Sequence, residues 1–125
     1  MSNPQPFVAI YTSDGEAAAF LVYPYIYNRH GDYIGWITRN KQVYSVEGHY
    51  VGWLSEERRI LRKQSTARIK PRLTPPPPPI APGYSFSAAS IGKMSELKPG
   101  VFDVLLDAPE LLSPVQSNDL FKSVS

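Results

Sequence analysis

The sequence predicts an all-β protein: four short β-hairpin repeats about a pseudo-fourfold axis, then a polyproline spacer and an extended tail with a short helix. Three observations carry that prediction: a segment that recurs three times, a polar-Gly corner at the same place in each copy, and a proline run that ends the pattern. The copies are Ile10–Leu21 (IYTSDGEAAAFL), Ile26–Ile37 (IYNRHGDYIGWI) and Val43–Leu54 (VYSVEGHYVGWL), spaced by 16 and then 17 residues. Self-similarity at a fixed period marks units that bury their apolar faces only by packing on one another.

Within each copy the chemistry is that of a hairpin. A short β-branched and aromatic strand runs into Asp14-Gly15, His30-Gly31 or Glu47-Gly48, and a second strand follows. A polar residue before Gly between apolar runs signals a tight turn that needs positive φ. Period-two alternation in the second strand puts Val51 with Trp53 on one face and Tyr50, Gly52 and Leu54 on the other. The matching core-side pairs are Ile34 with Trp36 and Ala18 with Phe20. Gly35, Gly52 and Ala19 are small where another backbone approaches closely. Tyr23-Pro24 and Asn40-Lys41 supply the reverse connections between hairpins.

One step of 17 further on, Ile60–Lys70 reads as a fourth hairpin with its consensus eroded: Ser65 stands where Gly is expected and Lys70 where Trp is expected. A helix from Glu56 to Thr66 competes, because Ile60, Leu61 and Gln64 fall at helical spacing. The domain organisation that follows is an N-terminal extension (1–6), the hairpin domain (7–73), a Pro-rich spacer (74–83) and a tail (84–125).

These features together resemble the 4-fold β-flower domain proteins, a small bacterial family. The resemblance rests on VYSVEGHYVGWL and its siblings, on PPPPPIAPG at Pro75–Gly83 and on YSFSAASIGKM at Tyr84–Met94. Two departures are the degenerate fourth repeat and a longer stretch after Met94. The resemblance implies the fold and no enzymatic activity.

Composition narrows the function classes. The chain of 125 residues holds 13 prolines, about twice average usage. It has no cysteine, which excludes disulfides, thiolate metal sites and a cysteine nucleophile. Met1–Pro6 lacks a signal-peptide pattern and no apolar run approaches the roughly 20 residues of a membrane span, so a cytoplasmic protein is expected. A domain of about 60 residues is marginal alone, and homo-oligomerisation or docking on a larger partner would offset that.

No phosphate-binding Gly loop, HExxH or GxSxG motif occurs. His30 and His49 flank turn glycines and read as surface residues rather than zinc ligands, and the recurring Asp14, Asp32 and Glu47 read as hairpin tips. No catalytic residue, cofactor or metal is therefore expected. Phe20, Trp36 and Trp53 are read as core, with Gly15, Gly31, Gly48, Gly35 and Gly52 as structural glycines.

Five consecutive prolines favour a stiff polyproline II spacer. The favoured reading is a plain linker; a ligand for an aromatic-lined groove, or a cover over an exposed sheet edge, are the alternatives. In the tail, Val101, Val104, Leu105 and Ala108 mark one face of a short helix after Pro99-Gly100. Phe102, Leu111, Leu112, Leu120 and Phe121 add apolar anchors, and the tail is expected to bind a partner. The expectation is thus a non-catalytic protein–protein interaction module, an accessory or linker subunit anchored by its tail. The alternative is a nucleic-acid binder using Arg58, Arg59, Arg62, Lys63, Arg68, Lys70 and Arg72. A net charge of only +2 and an acidic tail weigh against it.

Overall fold

A computed structural model describes residues 7–65, 70–80 and 86–114. Its strands are β1 (Val8–Tyr11), β2 (Ala17–Val22), β3 (Tyr25–Asn28), β4 (Tyr33–Ile37), β5 (Gln42–Ser45), β6 (Tyr50–Leu54), β7 (Ile60–Lys63) and β8 (Val101–Asp103). They form one curled antiparallel sheet in chain order, so the fold is all-β. Closure comes from the Tyr11 amide, which donates to the Arg58 carbonyl at 2.8 Å.

One local device builds nearly every reversal. At Thr12, Asn28, Thr38, Ser45 and Ser55 the carbonyl accepts from the amide three residues on, and the amide donates to the carbonyl four residues on. The fourth residue of each turn is left-handed: Gly15 (φ 88°), Gly31 (87°), Lys41 (66°), Gly48 (93°) and Arg58 (66°). The side chains of Asn28, Thr38, Ser45 and Ser55 also accept from the amide four residues ahead. A short polar side chain at that position is what stabilises such a turn. The loop Tyr23-Pro24 is the exception. There Leu21 pairs with Ile26, five residues on, whereas Leu54 pairs with Ile60, six residues on. That missing residue makes the first repeat 16 long instead of 17.

Each of the first three hairpins carries a β-bulge, at Ile10/Tyr11, Ile26/Tyr27 and Val43/Tyr44. Ala18, Ile34 and Val51 are the extra residues, and they break the alternation expected of the second strands. Ile34 and Val51 join an aliphatic core with Ile37 and Leu54, while Trp36 packs outside it against Tyr44. Phe20 is fully buried but belongs to a separate aromatic cluster, and Trp53 is only half-buried. Trp36 is buried as well, so of the three aromatics expected in the core only Trp53 departs from the expectation.

The centre is held by the leading residue of each repeat. Ile10, Ile26, Val43 and Ile60 are each 0% exposed and lie in one cluster. Burying such a side chain contributes about 1.5–3 kcal/mol. Gly52 has no room for a side chain, since a Cβ there would lie 1.9 Å from the Leu61 carbonyl oxygen.

The competing helix reading of Glu56–Thr66 falls: residues 56–63 are a turn and a strand, because Ser55 and the left-handed Arg58 close the same corner as the other repeats. The eroded hairpin expected over Ile60–Lys70 has its first strand in β7, while residues 66–69 of its return lie outside the described residues. The partner of β7 is β8, from the distant tail, with Leu61 opposite Asp103 and Lys63 opposite Val101. The anticipated helix over Val101–Ala108 is accordingly a strand followed by the single turn α1 (Val104–Asp107), capped by the Asp103 carboxylate. A 3-10 turn at Pro109–Leu111 follows.

Candidate functional site

Outside the aliphatic core, aromatic side chains from neighbouring strands pack on one another, with Trp36, Tyr44, Phe20 and Phe86 all buried. Trp36 stacks on Tyr44 with ring centres 4.9 Å apart, and Tyr44 meets Tyr50 edge-on at 5.6 Å. The Lys70 ammonium covers the Tyr50 ring at 4.9 Å while donating to Gln42 Oε1 at 2.8 Å. In the neighbouring cluster Phe86 stacks on Phe20 at 5.2 Å, Phe7 packs edge-on against both, and Tyr25 meets Tyr33 edge-on at 5.4 Å.

The segment between β7 and β8 is a belt, not a plain linker. The Leu73 amide donates to the Gly48 carbonyl at the third hairpin tip, and the Tyr25 hydroxyl donates to the Pro77 carbonyl at the second hairpin. The Phe86 amide reaches Arg29 at the second tip; Ile91 and Met94 reach Gly15 and Ser13 at the first. At Gly15 and Gly48 a Cβ would collide with the Gly92 and Leu73 carbonyl oxygens, at 2.1 and 1.9 Å. Turn glycines therefore also serve as seats for the belt.

Where the belt crosses the second hairpin it leaves a groove of about 730 Å³, lined by Tyr27, Tyr33 and Val46 on one side and by Pro75–Pro79 and Pro114 on the other. Asp32 and Gly31 stand at its rim. The Tyr33 hydroxyl is buried and has no hydrogen-bond partner among the described residues. Its pKa is pushed up to about 12, first by burial and then by the neighbouring Tyr25 and Tyr27. The groove thus offers mainly apolar walls, a surface suited to an apolar segment.

Two of the basic residues are turned to the chain's own acceptors. Arg59 is buried, with Nη1 donating to Ser13 Oγ at 3.1 Å and to the Ser95 carbonyl at 3.0 Å, and Nη2 paired with Glu57. Arg62 Nη1 donates to the Tyr50 and Val51 carbonyls. Lys70 is held on Tyr50. Arg58, Lys63 and Arg72 are exposed, and Arg68 lies outside the described residues. Arg59 and Arg62, whose guanidiniums are spent on internal acceptors, are thus not available to phosphates. Both histidines are half-exposed or exposed at turns, and no group of three His, Cys, Asp or Glu able to hold a metal occurs among the described residues.

The tail anchors are likewise taken up within the chain. Val104 and Leu112 lie in the central core, with Phe102, Leu105 and Leu111 packed against it and Val101 half-buried in β8. Asp103, 2% exposed, accepts from the Ser13 amide and hydroxyl at 2.7 and 2.8 Å. The described part of the tail completes its own domain, which corrects the expectation of a partner-binding arm. Leu120 and Phe121 fall outside the described residues. Reading the sequence missed Ser13, Tyr33, Phe86 and Asp103 as key positions. Asp103 carried a faint signal, an acid just before an apolar run as in a helix cap; the others carried none.

The site and fold define a hairpin-repeat β domain belted by its own downstream chain. The model of the 4-fold beta flower protein family matches residues 8–65, and this stretch of the chain belongs to that family. No curated protein and no solved structure matches the chain. No helix among the described residues is long and apolar enough to cross a membrane.

Proposed function

We propose that this protein is a non-catalytic protein–protein interaction module of the cytoplasm, an accessory or linker subunit of a larger assembly, which docks its partner in the groove between Tyr33 and the proline run. The observation that carries this reading is the groove itself, lined by Tyr27, Tyr33 and Val46 and by the proline run. The absence of cysteine fits a reducing compartment. The tail no longer supplies the docking surface, since its anchors stabilise the domain.

Val46→Trp tests the reading by filling the groove from a hairpin tip. Partner proteins recovered with the wild-type chain are expected to fall away with the variant, at unchanged circular dichroism. Equal recovery of the same partners removes the groove from the function.

A further inference from the structure

We infer that the belt is a releasable strap: residues 70–94 leave the hairpin tips as one unit, with Phe86 as the latch, while the eight-stranded sheet stays folded. This concerns the belt itself and stands apart from the docking reading of the groove.

The span is pinned at both ends and lightly held between them. Its root is closed where the Gln64 amide donates to the Gly100 carbonyl at 2.7 Å, and Arg59 holds the Ser95 carbonyl at 3.0 Å. Between those pins Phe86, 4% exposed, is the only buried residue among the described residues of the span. Its ring lies 5.2 Å from Phe20 and 5.4 Å from both Phe7 and Tyr27. Leu73, Ile80 and Ile91 are exposed. Hydrogen bonds at the tips tie down Leu73, Pro77, Phe86, Ile91 and Met94, each through its backbone.

Pro75–Pro79 carry no N–H to donate, and a proline run is stiff, so release at one end of the run carries the other end with it. Every ordered residue costs conformational entropy, and a surface hydrogen bond returns little of it, which leaves one buried ring as the main hold. The sheet has stronger support: β7 pairs with β8, and Val104 and Leu112 lie in the central core. Segments with few buried contacts open at lower free energy than the core they cover. Opening uncovers the sides of Phe20 and Tyr27 that Phe86 covers, and takes away the proline wall of the groove. The strap therefore decides whether the molecule presents a proline-walled groove or an aromatic surface.

Amide hydrogen exchange of the full chain, in a series of low denaturant concentrations, tests this. The amides of residues 73, 86 and 91 are expected to share one denaturant-dependent opening, populated at least about a hundredfold more than that of Tyr11, Ile37 and Leu54, whose amides donate to Arg58, Pro24 and Lys41. Phe86→Ala should raise the belt opening about tenfold or more at all three positions, and change the sheet amides by less than about threefold. Phe86→Leu keeps an apolar side chain and should move the same three amides in the same direction by less. Belt amides that open only together with the sheet overturn the inference. So do three unrelated, denaturant-independent rates, or variants that loosen sheet and belt equally.

Discussion

The first three hairpins and the fourth reach the same geometry by different routes. In the first three, both strands lie within 13 to 15 residues (Val8–Val22, Tyr25–Ile37 and Gln42–Leu54) and a glycine corner joins them. In the fourth, β7 and β8 are separated by residues 64–100, and the strand partner arrives only after the chain has visited the other tips. Local hairpins cost little loop entropy, whereas the last pairing closes a long loop and must be held by specific contacts. Those contacts are present: Val104 in the core, Asp103 on Ser13, and Arg59 on Ser95. The comparison teaches that a repeat domain can be built locally and still depend on one remote segment to finish it.

Ending the chain at residue 85 removes β8, Val104 and Leu112 together, and leaves β7 as an unpaired edge. We expect loss of cooperative thermal unfolding, or aggregation; a truncated chain with an unchanged Tm would break the contrast. Point changes come next. Ile26→Ala and Val104→Ala both empty fully buried sites, one in a local hairpin and one beyond the remote strand. Each should cost about 2–4 kcal/mol in denaturant unfolding. Hydrogen exchange should separate them: Val104→Ala speeds exchange in β7 and β8 first, Ile26→Ala throughout the domain.

Asp103→Ala deletes the acceptor of the Ser13 amide and hydroxyl and the cap of α1. A loss of about 1.5–3 kcal/mol is expected from bonds to a buried charged group, read as a lower denaturation midpoint. Asp103→Asn should recover part of it.

Alkaline pH probes the belt's groove. The folded Tyr33 phenol ionises near 12 against an ordinary value of 10.0, because burial, then Tyr25 and Tyr27, disfavour the anion. Between those two values the unfolded chain has released a proton that the folded chain retains, so stability falls as pH rises through the window. Tyr33→Phe should flatten this fall in a pH series of unfolding curves. Tyr50 in the third hairpin is also raised, by burial and Tyr44, but Arg62 opposes the rise.

The smallest effect concerns turn chemistry. Lys41 occupies the left-handed corner that Gly15, Gly31 and Gly48 hold in the hairpin tips. Lys41→Gly should stabilise by up to about 1 kcal/mol, since glycine adopts this conformation freely. A destabilisation would mean that the ammonium contributes a contact outweighing the strain.

Much of the fold was legible because its determinants are local. The polar-Gly corners, the repeat spacing and the recurring Ile/Val-Tyr opening follow from turn conformation and strand propensity, which act over a few residues. The bulges were not legible, because Ala18, Ile34 and Val51 look like ordinary alternating positions. Only the pairing register shows them as extra residues, and that register decides which side the aromatics face. The groove was invisible for a related reason: Tyr27, Tyr33 and the prolines are distant in sequence and line one groove only after the belt has docked.

By itself the sequence determined the hairpins, their corners and their number, since backbone conformation at Gly and short polar side chains acts through neighbours alone. The tertiary structure alone decided which strand completes the fourth hairpin, where the tail's described apolar residues go and where the groove forms. Those outcomes depend on burial and hydrogen-bond satisfaction between segments tens of residues apart, which no local pattern encodes.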